Sequence, residues 1–512
     1  MQKKWVKQYV PVLLGVLTLM VFPLAFHSYS GLAHFKFQTT IVLTNACLLT
    51  CIATWSYWKP HIRFLSLPRI MAIVLGIWIT LSAFFGSEAG RQQDNGWPMT
   101  VMGFVRYEGL VSQLCYIAVF FAFSILPVRQ GSRMVFSMAG VGVLVYLAIV
   151  ICQYLDINIL NLYPDQISIH TNYEFQGPLG NIDSGAGYIC LILPLLIVSW
   201  VYGMGSFLLY GSGLAAALLL VLFDVQAGLL ALMLLCVFLL CLALHSVMRR
   251  RRAFLALMGI CFVFALKQCV SLPWLDGGEG ISLVLRPAAA VSAALGIVFL
   301  LLSYAKGTWH MSVRAIWLCL LALALAAYFV VLLVPMGSGA LYEAHEILQG
   351  RGRDTYGSWR TGVWRHSLAM CGDHLLFGTG PDMFYYGFMD FLERNGLYIG
   401  EVFDNPHNLF LGILTTSGLP ALLLFAGMLI GIFRDLYRQR TVLAAVLGTA
   451  LVVFLCQRMF SFSNCMVSPM FFAVLGMACS VGGGTEEVCE EAAAEGETRK
   501  TEADIRTDPA GR

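Results

Sequence analysis

Residues 351–418 read RGRDTYGSWRTGVWRHSLAMCGDHLLFGTGPDMFYYGFMDFLERNGLYIGEVFDNPHNLFLGILTTSG. The stretch mixes Arg, His, Asp, Trp, Tyr and Gly over a length too great for a simple turn. What flanks it is different in kind. Apolar runs of about 20 residues recur from end to end, each long enough to cross a bilayer as a helix. Of the 512 residues, 59% are hydrophobic and 12% charged. A soluble domain carries about 25% charged residues. A single buried core does not need so many separate apolar runs. The chain therefore reads as an all-α polytopic membrane protein, with residues 351–418 as its one long polar interruption.

Working outward, fourteen spans are predicted, at about 9–28, 37–58, 70–87, 109–127, 134–155, 184–202, 207–224, 228–247, 253–273, 284–304, 315–335, 409–432, 441–457 and 467–483. The connectors at Gly203 and Gln226 are very short, so the count spans twelve to fourteen. The first run follows Lys3, Lys4 and Lys7 as a signal peptide would. No small-residue cleavage site follows it, so it is read as an uncleaved span.

Lys and Arg in short loops set orientation. With the N-terminus inside, the inner loops hold Lys59, Arg63 and Arg69; Arg129 and Arg133; Arg249 to Arg252; Lys306 and Arg314; and Arg434, Arg438 and Arg440. Both termini are expected in the cytoplasm and the large loop outside. The resulting organisation is N-terminal transmembrane helices over 1–336, a large extracytoplasmic loop over 337–408 before the twelfth span, C-terminal helices over 409–484, and a disordered acidic cytoplasmic tail over 485–512.

Two further outer loops exceed turn length, at about 86–108, ending GFVRYEG, and at 156–183, ending GPLGNIDSGAG. Long loops of this kind are functional or disordered. Their Tyr, Phe, Trp and Asn content argues against disorder. The fifteen cysteines form no CxxC pair and sit mostly in apolar runs, as small apolar residues do. The run Met248–Ala253, MRRRRA, reads as a topology anchor with an anionic-lipid contact as the alternative, and not as a nucleic-acid site.

Within the large loop, WRTGVWRHSLAM has helical spacing. It places Arg360, Trp364 and Ser367 on one face and Val363, Leu368 and Cys371 near another. Two readings fit. Arg360 turned toward a cavity would bind a lipid-linked phosphate, because guanidinium meets phosphate oxygens bidentately and keeps its charge. Alternatively the helix anchors at the membrane surface and its arginines meet headgroups. GTGP at 378–381 lacks the Lys and Ser/Thr of a phosphate-binding loop, so it shapes backbone only. His407 stands where the loop re-enters the membrane and can accept a proton near neutral pH. Asn408 can cap the helix that follows. His366 and His374 are weaker candidates. His366, Asp373, His374, Asp382, Asp404 and His407 match no known ligand spacing, so no metal site is assigned.

Arg360 with Trp364, then Gly378-Thr379-Gly380, then His407-Asn408, an apolar helix and Gly418, resembles the signature region of the O-antigen ligase and O-antigen polymerase superfamily. Arg106-Tyr107-Glu108-Gly109-Leu110 resembles its R-x-E-G-L start of a span. Gly177–Leu195 resembles its G-x-x-x-N segment before a small-residue helix. The likeness covers roughly residues 80–430 in order.

The resemblance implies a GT-C-like membrane glycosyltransferase of cell-envelope polysaccharide biosynthesis, in the bacterial inner membrane. Such enzymes move a glycan from a polyprenyl-pyrophosphate carrier to an acceptor hydroxyl, without metal, nucleotide sugar or other cofactor. The acceptor is another glycan, a lipid or a wall component. The resemblance assigns Arg360 as a catalytic phosphate ligand, with Arg353, Arg365 or Arg106 also binding the donor pyrophosphate. It assigns His407 as the base or acceptor-positioning group, and Trp364, Gly378, Gly380, Asn408 and Asn181 as support. One departure stands out. Family members commonly carry an Arg before a middle span, where this chain has Gln226 in FDVQAGLLAL. The rival classes are a transporter or flippase of a lipid-linked glycan and a non-catalytic scaffold. A transporter favours charges within spans, and here Lys267 and Arg286 are the main cases.

Overall fold

The computed structural model describes residues 2–27, 31–58, 66–88, 90–91, 93–94, 96–126, 131–158, 160–161, 176–271, 282–283, 286–305, 311–333 and 340–483. The tail over 485–512, most of the loop 156–183, and Lys59, Arg63, Arg129 and Lys306 of the orientation reading lie outside the described residues.

A chain in hydrocarbon must satisfy its own backbone donors and acceptors, and the helix does so within one segment. The helices in order are α1 (Gln2–Val16, continued to Leu24 through a π-turn at Leu17–Val21), α2 (Leu32–Trp58), α3 (Leu67–Phe85), α4 (Met99–Met102), α5 (Leu110–Ile125) and α6 (Ser132–Tyr154). Next come α7 (Ile182–Val201), α8 (Phe207–Phe223), α9 (Gln226–His245), α10 (Val247–Cys269), α11 (Pro287–Tyr304) and α12 (Val313–Leu333). The large loop holds α13 (Ala340–Leu348), α14 (Arg360–Cys371) and α15 (Phe384–Arg394), and α16 (Leu409–Gln439), α17 (Val442–Arg458) and α18 (Ser468–Gly483) follow it. Strand among the described residues is confined to two short antiparallel pairs, at 93–94 with 97–98 and at 270–271 with 282–283.

Each predicted span falls on a helix. Among the described residues, eight helices are long and apolar enough to cross a membrane, and five shorter apolar helices accompany them. The connectors at Gly203 and Asp224 do separate α7, α8 and α9. The chain is an all-α polytopic membrane protein.

Helix α7 is the centre. Its apolar window is wholly buried, whereas the other long spans bury between 17% and 44% of theirs. Their free faces carry Ile52, Ile77 and Ile430 outward, as contact with lipid tails permits. Helices α8 and α17 pack closely on α7. Small residues at its start, Gly185-Ala186-Gly187, allow that approach.

The large loop has a small core of its own, in which α14 and α15 bury Val363, Met370, Phe384, Phe388 and Leu392 with Ile399 and Phe403. The predicted second face of α14 needs correction. Val363, Ser367, Met370 and Cys371 are the buried positions, following the i, i+4, i+7, i+8 spacing. Leu368 points out, 58% exposed.

A break in α16 ties this loop to the membrane helices. Pro420 has no N–H for the Thr416 carbonyl, and Gly418 adopts φ 81°, ψ 174°. The Thr415 and Thr416 carbonyls accept instead from the backbone N–H groups of Thr379 and Gly380, both at 2.9 Å, and Leu419 N–H donates to the Leu375 carbonyl at 2.8 Å. Ser82 Oγ on α3 donates to the carbonyls of Phe377 (2.6 Å) and Thr416 (3.0 Å). Ser87 and Glu88 N–H donate to the Gly378 and Thr379 carbonyls at 3.1 and 3.0 Å. The GTGP segment is thus an extended splint between the end of α3 and the broken helix. Its glycines take positive φ, 66° at Gly378 and 106° at Gly380.

Candidate active site

Beside the GTGP splint lies a cavity of about 110 Å³. Its walls are apolar and come from α3, α5, α16, α17 and α18: Leu75, Ile79, Ile117, Ile413, Phe425 and Phe472 among them. Its polar lining includes Arg106, Glu108, Asp382, Asp404, Asn405, Asn408, Arg458 and Ser463. The polar groups come from chain segments far apart in sequence, so the fold, not local spacing, assembles them.

Arg106 is already engaged. Its Nε and Nη2 donate to Asp404 Oδ2 and Oδ1 at 2.6 and 2.8 Å, a bidentate pair, and its guanidinium lies 3.6 Å over the Phe462 ring. Burial works against the Asp404 carboxylate, but Arg106 outweighs it and holds the group below the usual range. Asn405 Nδ2 also donates to Asp404, at 2.6 Å. Asn405 Oδ1 in turn accepts from the His407 N–H at 2.8 Å, and His407 sits at φ 49°. Asn408 caps α16, its Oδ1 accepting from Leu411 N–H at 3.0 Å. The motif read as His-Asn is therefore the end of a braced turn, Asp404 to Asn408.

The His407 ring meets Phe403 and Phe462 edge-on, at 6.1 and 5.5 Å between centroids. Burial, then the charges of Arg360 and Arg106, push its imidazole down to about 4, with Asp404 opposing. It is neutral at physiological pH. Trp364 holds the same turn from the other side: its Nε1–H donates to the Pro406 carbonyl at 2.8 Å and its ring lies 5.9 Å from Phe460. The Arg-x3-Trp and His-Asn motifs thus meet in space.

Arg360 opens α14 after three left-handed residues, Gly357, Ser358 and Trp359. For Ser and Trp this conformation is costly and is kept only where the surroundings enforce it. Its Nη1 donates to the Gly357 carbonyl at 3.1 Å, and its Nε is buried without a partner among the described residues. Arg353 is exposed. Arg365 sits 2.8 Å from Asp354 Oδ1 as an ion pair, off hydrogen-bond alignment and 56% exposed. His366 shares the same Asp354 at 3.4 Å. Asn181 caps α7, accepting from Asp183 and Ser184 N–H at 2.9 and 3.1 Å. Gln226 is exposed at the start of α9. None of Arg353, Arg360, Arg365, Asn181, Gln226 or the His407 ring lines the cavity. Among the described residues no group of three metal-ligating side chains gathers.

Among the lining residues, Glu108, Arg458 and Ser463 are assigned no role from the sequence, and Asp382 is weighed there only as a metal ligand. Asp382 follows the GTGP splint at φ 61° and accepts from the backbone N–H of Phe104 (2.6 Å) and Glu108 (3.1 Å). It locks the 103–108 loop to the splint. Glu108 is buried, 6% exposed, and accepts from Tyr116 OH (2.5 Å), Ser463 Oγ (2.7 Å) and Gln113 Nε2 (3.0 Å). Burial outweighs those donors and raises its carboxyl to about 7. Arg458 ends α17 and Ser463 lies in the α17–α18 connection. Their one legible signal was an arginine closing an apolar run at Gln457-Arg458.

Glu108 carries a stability prediction. Its folded pKa is raised above the unfolded value, so its contribution is whole below about 4.5 and is lost as pH rises through about 7. The loss amounts to roughly 3 kcal/mol between those limits. The wild-type melting temperature in detergent should fall as pH rises from about 6 to about 7.5, the upper part of that range, above the titration of His407 and most of that of Asp382. Glu108→Gln should flatten that fall. Parallel wild-type and variant curves would remove the assignment.

Residues 281–426 match the family described as O-antigen ligase. The match takes in Arg353, Arg360, Trp364, Arg365, the GTGP splint, His407 and Asn408, together with Asp382 and Asp404. Arg106, Glu108 and Asn181 precede it and Arg458 follows it. No curated protein matches the chain. The family supports a cell-envelope polysaccharide role of the ligase or polymerase type.

Proposed function

We propose that this bacterial membrane protein, which carries an O-antigen ligase domain at residues 281–426, transfers a glycan from a polyprenyl-pyrophosphate carrier to an acceptor hydroxyl at the extracytoplasmic face of the inner membrane. The observation that carries this is the cavity: apolar walls contributed by membrane helices, closed by a polar lining of Arg106, Glu108, Asp404 and Arg458 beside the His407 turn. A lipid-linked substrate has the same division, an apolar chain joined to an anionic head.

In this reading the acceptor oxygen bonds to the anomeric carbon from the face opposite the carrier. The carbon–oxygen bond to phosphate breaks, and its electron pair leaves with the polyprenyl pyrophosphate. The hydroxyl proton passes to a ring nitrogen of His407, and the anomeric centre inverts. The leaving group is already activated, so the work of the site is to hold negative charge and accept one proton. Arg360 suits the first task better than Arg353 or Arg365. It faces His407 closely enough to depress its pKa, carries a buried unpartnered N–H and pairs with no carboxylate among the described residues. Arg106, neutralised by Asp404, positions the turn.

The test is transfer by purified protein from a lipid-linked glycan, read as release of undecaprenyl pyrophosphate. It is run beside complementation of a strain whose envelope polysaccharide depends on this gene, at matched membrane levels. Arg360→Ala should lower the rate by about 10²–10³-fold, the size seen when one group stabilising transition-state charge is removed. Full activity in that variant would sink the role. A transporter would release no undecaprenyl pyrophosphate at all. In cells, altered chain length marks a polymerase and unattached full-length polymer marks a ligase.

A further inference from the structure

Arg458 closes α17 inside the protein, 3% exposed, and lines the cavity. A guanidinium carries five N–H donors and a permanent charge. Among the described residues this one has a single hydrogen-bond acceptor, the Phe462 carbonyl. It lies 4.8 Å over the Phe454 ring. Asp183 and Glu108 are the carboxylates whose charge reaches it, and neither is within ion-pair distance. A buried charge without a bonded counter-ion is expensive, and the structure makes deliberate room for this one. A Cβ placed on Gly187 of α7 would stand 2.4 Å from Arg458 Nη2 and 2.9 Å from its Cζ. The wholly buried span of α7 thus leaves a gap where the guanidinium lies. The free N–H groups border a chamber with apolar helix walls, whose other charged lining groups are Arg106, paired with Asp404, and the carboxyls of Glu108 and Asp382.

From these observations we infer that Arg458 is an anion-binding residue of the cavity and holds a phosphate group of the polyprenyl-pyrophosphate carrier, with Gly187 as the residue that seats it. This rests on the carrier reading above and adds to it. Arg360 and His407 stand outside the cavity lining, whereas Arg458 borders the chamber itself. A cation bonded to one carbonyl has donors left for phosphate oxygens, and charge-assisted bonds of that type are the strong ones.

The experiment measures binding rather than turnover. The full chain in lipid nanodiscs is titrated with undecaprenyl pyrophosphate, with undecaprenyl monophosphate, and with inorganic pyrophosphate to separate a lipid head from a free anion. Wild type should bind the lipid pyrophosphate. Arg458→Ala should weaken that binding by about tenfold or more, as expected for a lost bond to a charged group. Arg458→Lys should recover part of it. Gly187→Ala keeps the charge and moves only the far end of a flexible side chain, so it should fold normally and weaken binding by a smaller factor. Inorganic pyrophosphate should bind wild type far more weakly than the lipid. If it binds as tightly, the ligand is a free anion and the carrier assignment fails. Wild-type binding that neither Arg458→Ala nor Gly187→Ala changes by more than about twofold overturns the role of Arg458 and leaves the carrier reading standing. Absence of lipid binding in wild type removes both.

Discussion

His407→Gln should slow glycan transfer by about 10²–10⁴-fold at neutral pH, the span expected when a general base is removed. The pH profile makes the assignment sharper than the rate does. In the free protein, burial and the charges of Arg360 and Arg106 hold the His407 imidazole near 4. The group is therefore neutral, able to receive a proton, but a weak base. A pyrophosphate seated beside those arginines would offset their charge, and the His407 pKa would rise toward its ordinary value near 6.5. The acid limb of kcat, which reports the substrate complex, should then lie above the acid limb of kcat/KM, which reports the free enzyme. Arg360→Ala removes one of those charges from the free enzyme and should raise the kcat/KM limb. Glu108 and Asp382 titrate nearer 7 and 6, so the His407→Gln profile is the reference against which the limbs are assigned. A kcat limb at or below that of kcat/KM would remove His407 as the base. The same depression has a stability consequence of the opposite sign to that of Glu108. It favours the fold above about 6.5 and is lost as pH falls through about 4.

The helices were legible because lipid leaves the backbone few choices, and a run of about 20 apolar residues announces itself one segment at a time. The motif positions were legible for another reason. Arg360, Trp364 and His407 are unusual residues in an apolar chain, and their order is fixed by sequence. The contacts between them were not. That Trp364 Nε1 reaches the Pro406 carbonyl, or that Arg106 is spent on Asp404 across 298 residues, follows only from packing. Arg106 read as a free phosphate ligand because a sequence shows charges without their partners. Glu108 lay inside the quoted R-x-E-G-L run and passed unremarked, since nothing local shows that its carboxyl is buried under Tyr116 and Ser463. Arg458 was passed over for a related reason: a basic residue ending an apolar helix usually reaches water, and only the gap at Gly187 shows that this one turns inward.

Gly418→Ala should cost about 3–5 kcal/mol, the upper range for a single substitution, and should disable transfer though the residue touches no substrate. Two effects add. The position has φ 81° and ψ 174°, a region that is essentially glycine's alone. An added Cβ would also stand 2.1 Å from the Leu376 carbonyl oxygen and 2.5 Å from its carbon. Both are backbone atoms, so no side chain can swing aside. Relief requires moving the 375–380 segment, and the site hangs from that segment. Thr379 and Gly380 are bonded to the carbonyls freed by the helix break. Two residues on, Asp382 fixes the N–H groups of Phe104 and Glu108, and between these stands Arg106, whose partner Asp404 braces the His407 turn. Displacement of the splint therefore reaches Asp382, the 103–108 loop and, through Arg106 and Asp404, the His407 turn. Gly211→Ala in α8, where a Cβ meets nothing within 4 Å, is the control and should be neutral or slightly stabilising, as Ala is in a helix interior. Pro420→Ala should fall between, because its restored N–H competes for the Thr416 carbonyl without any clash. Melting temperature and monodispersity in detergent separate the three. A Gly418→Ala protein that melts within about 2 °C of wild type would show that the splint gives way freely and that the loop is positioned by other contacts.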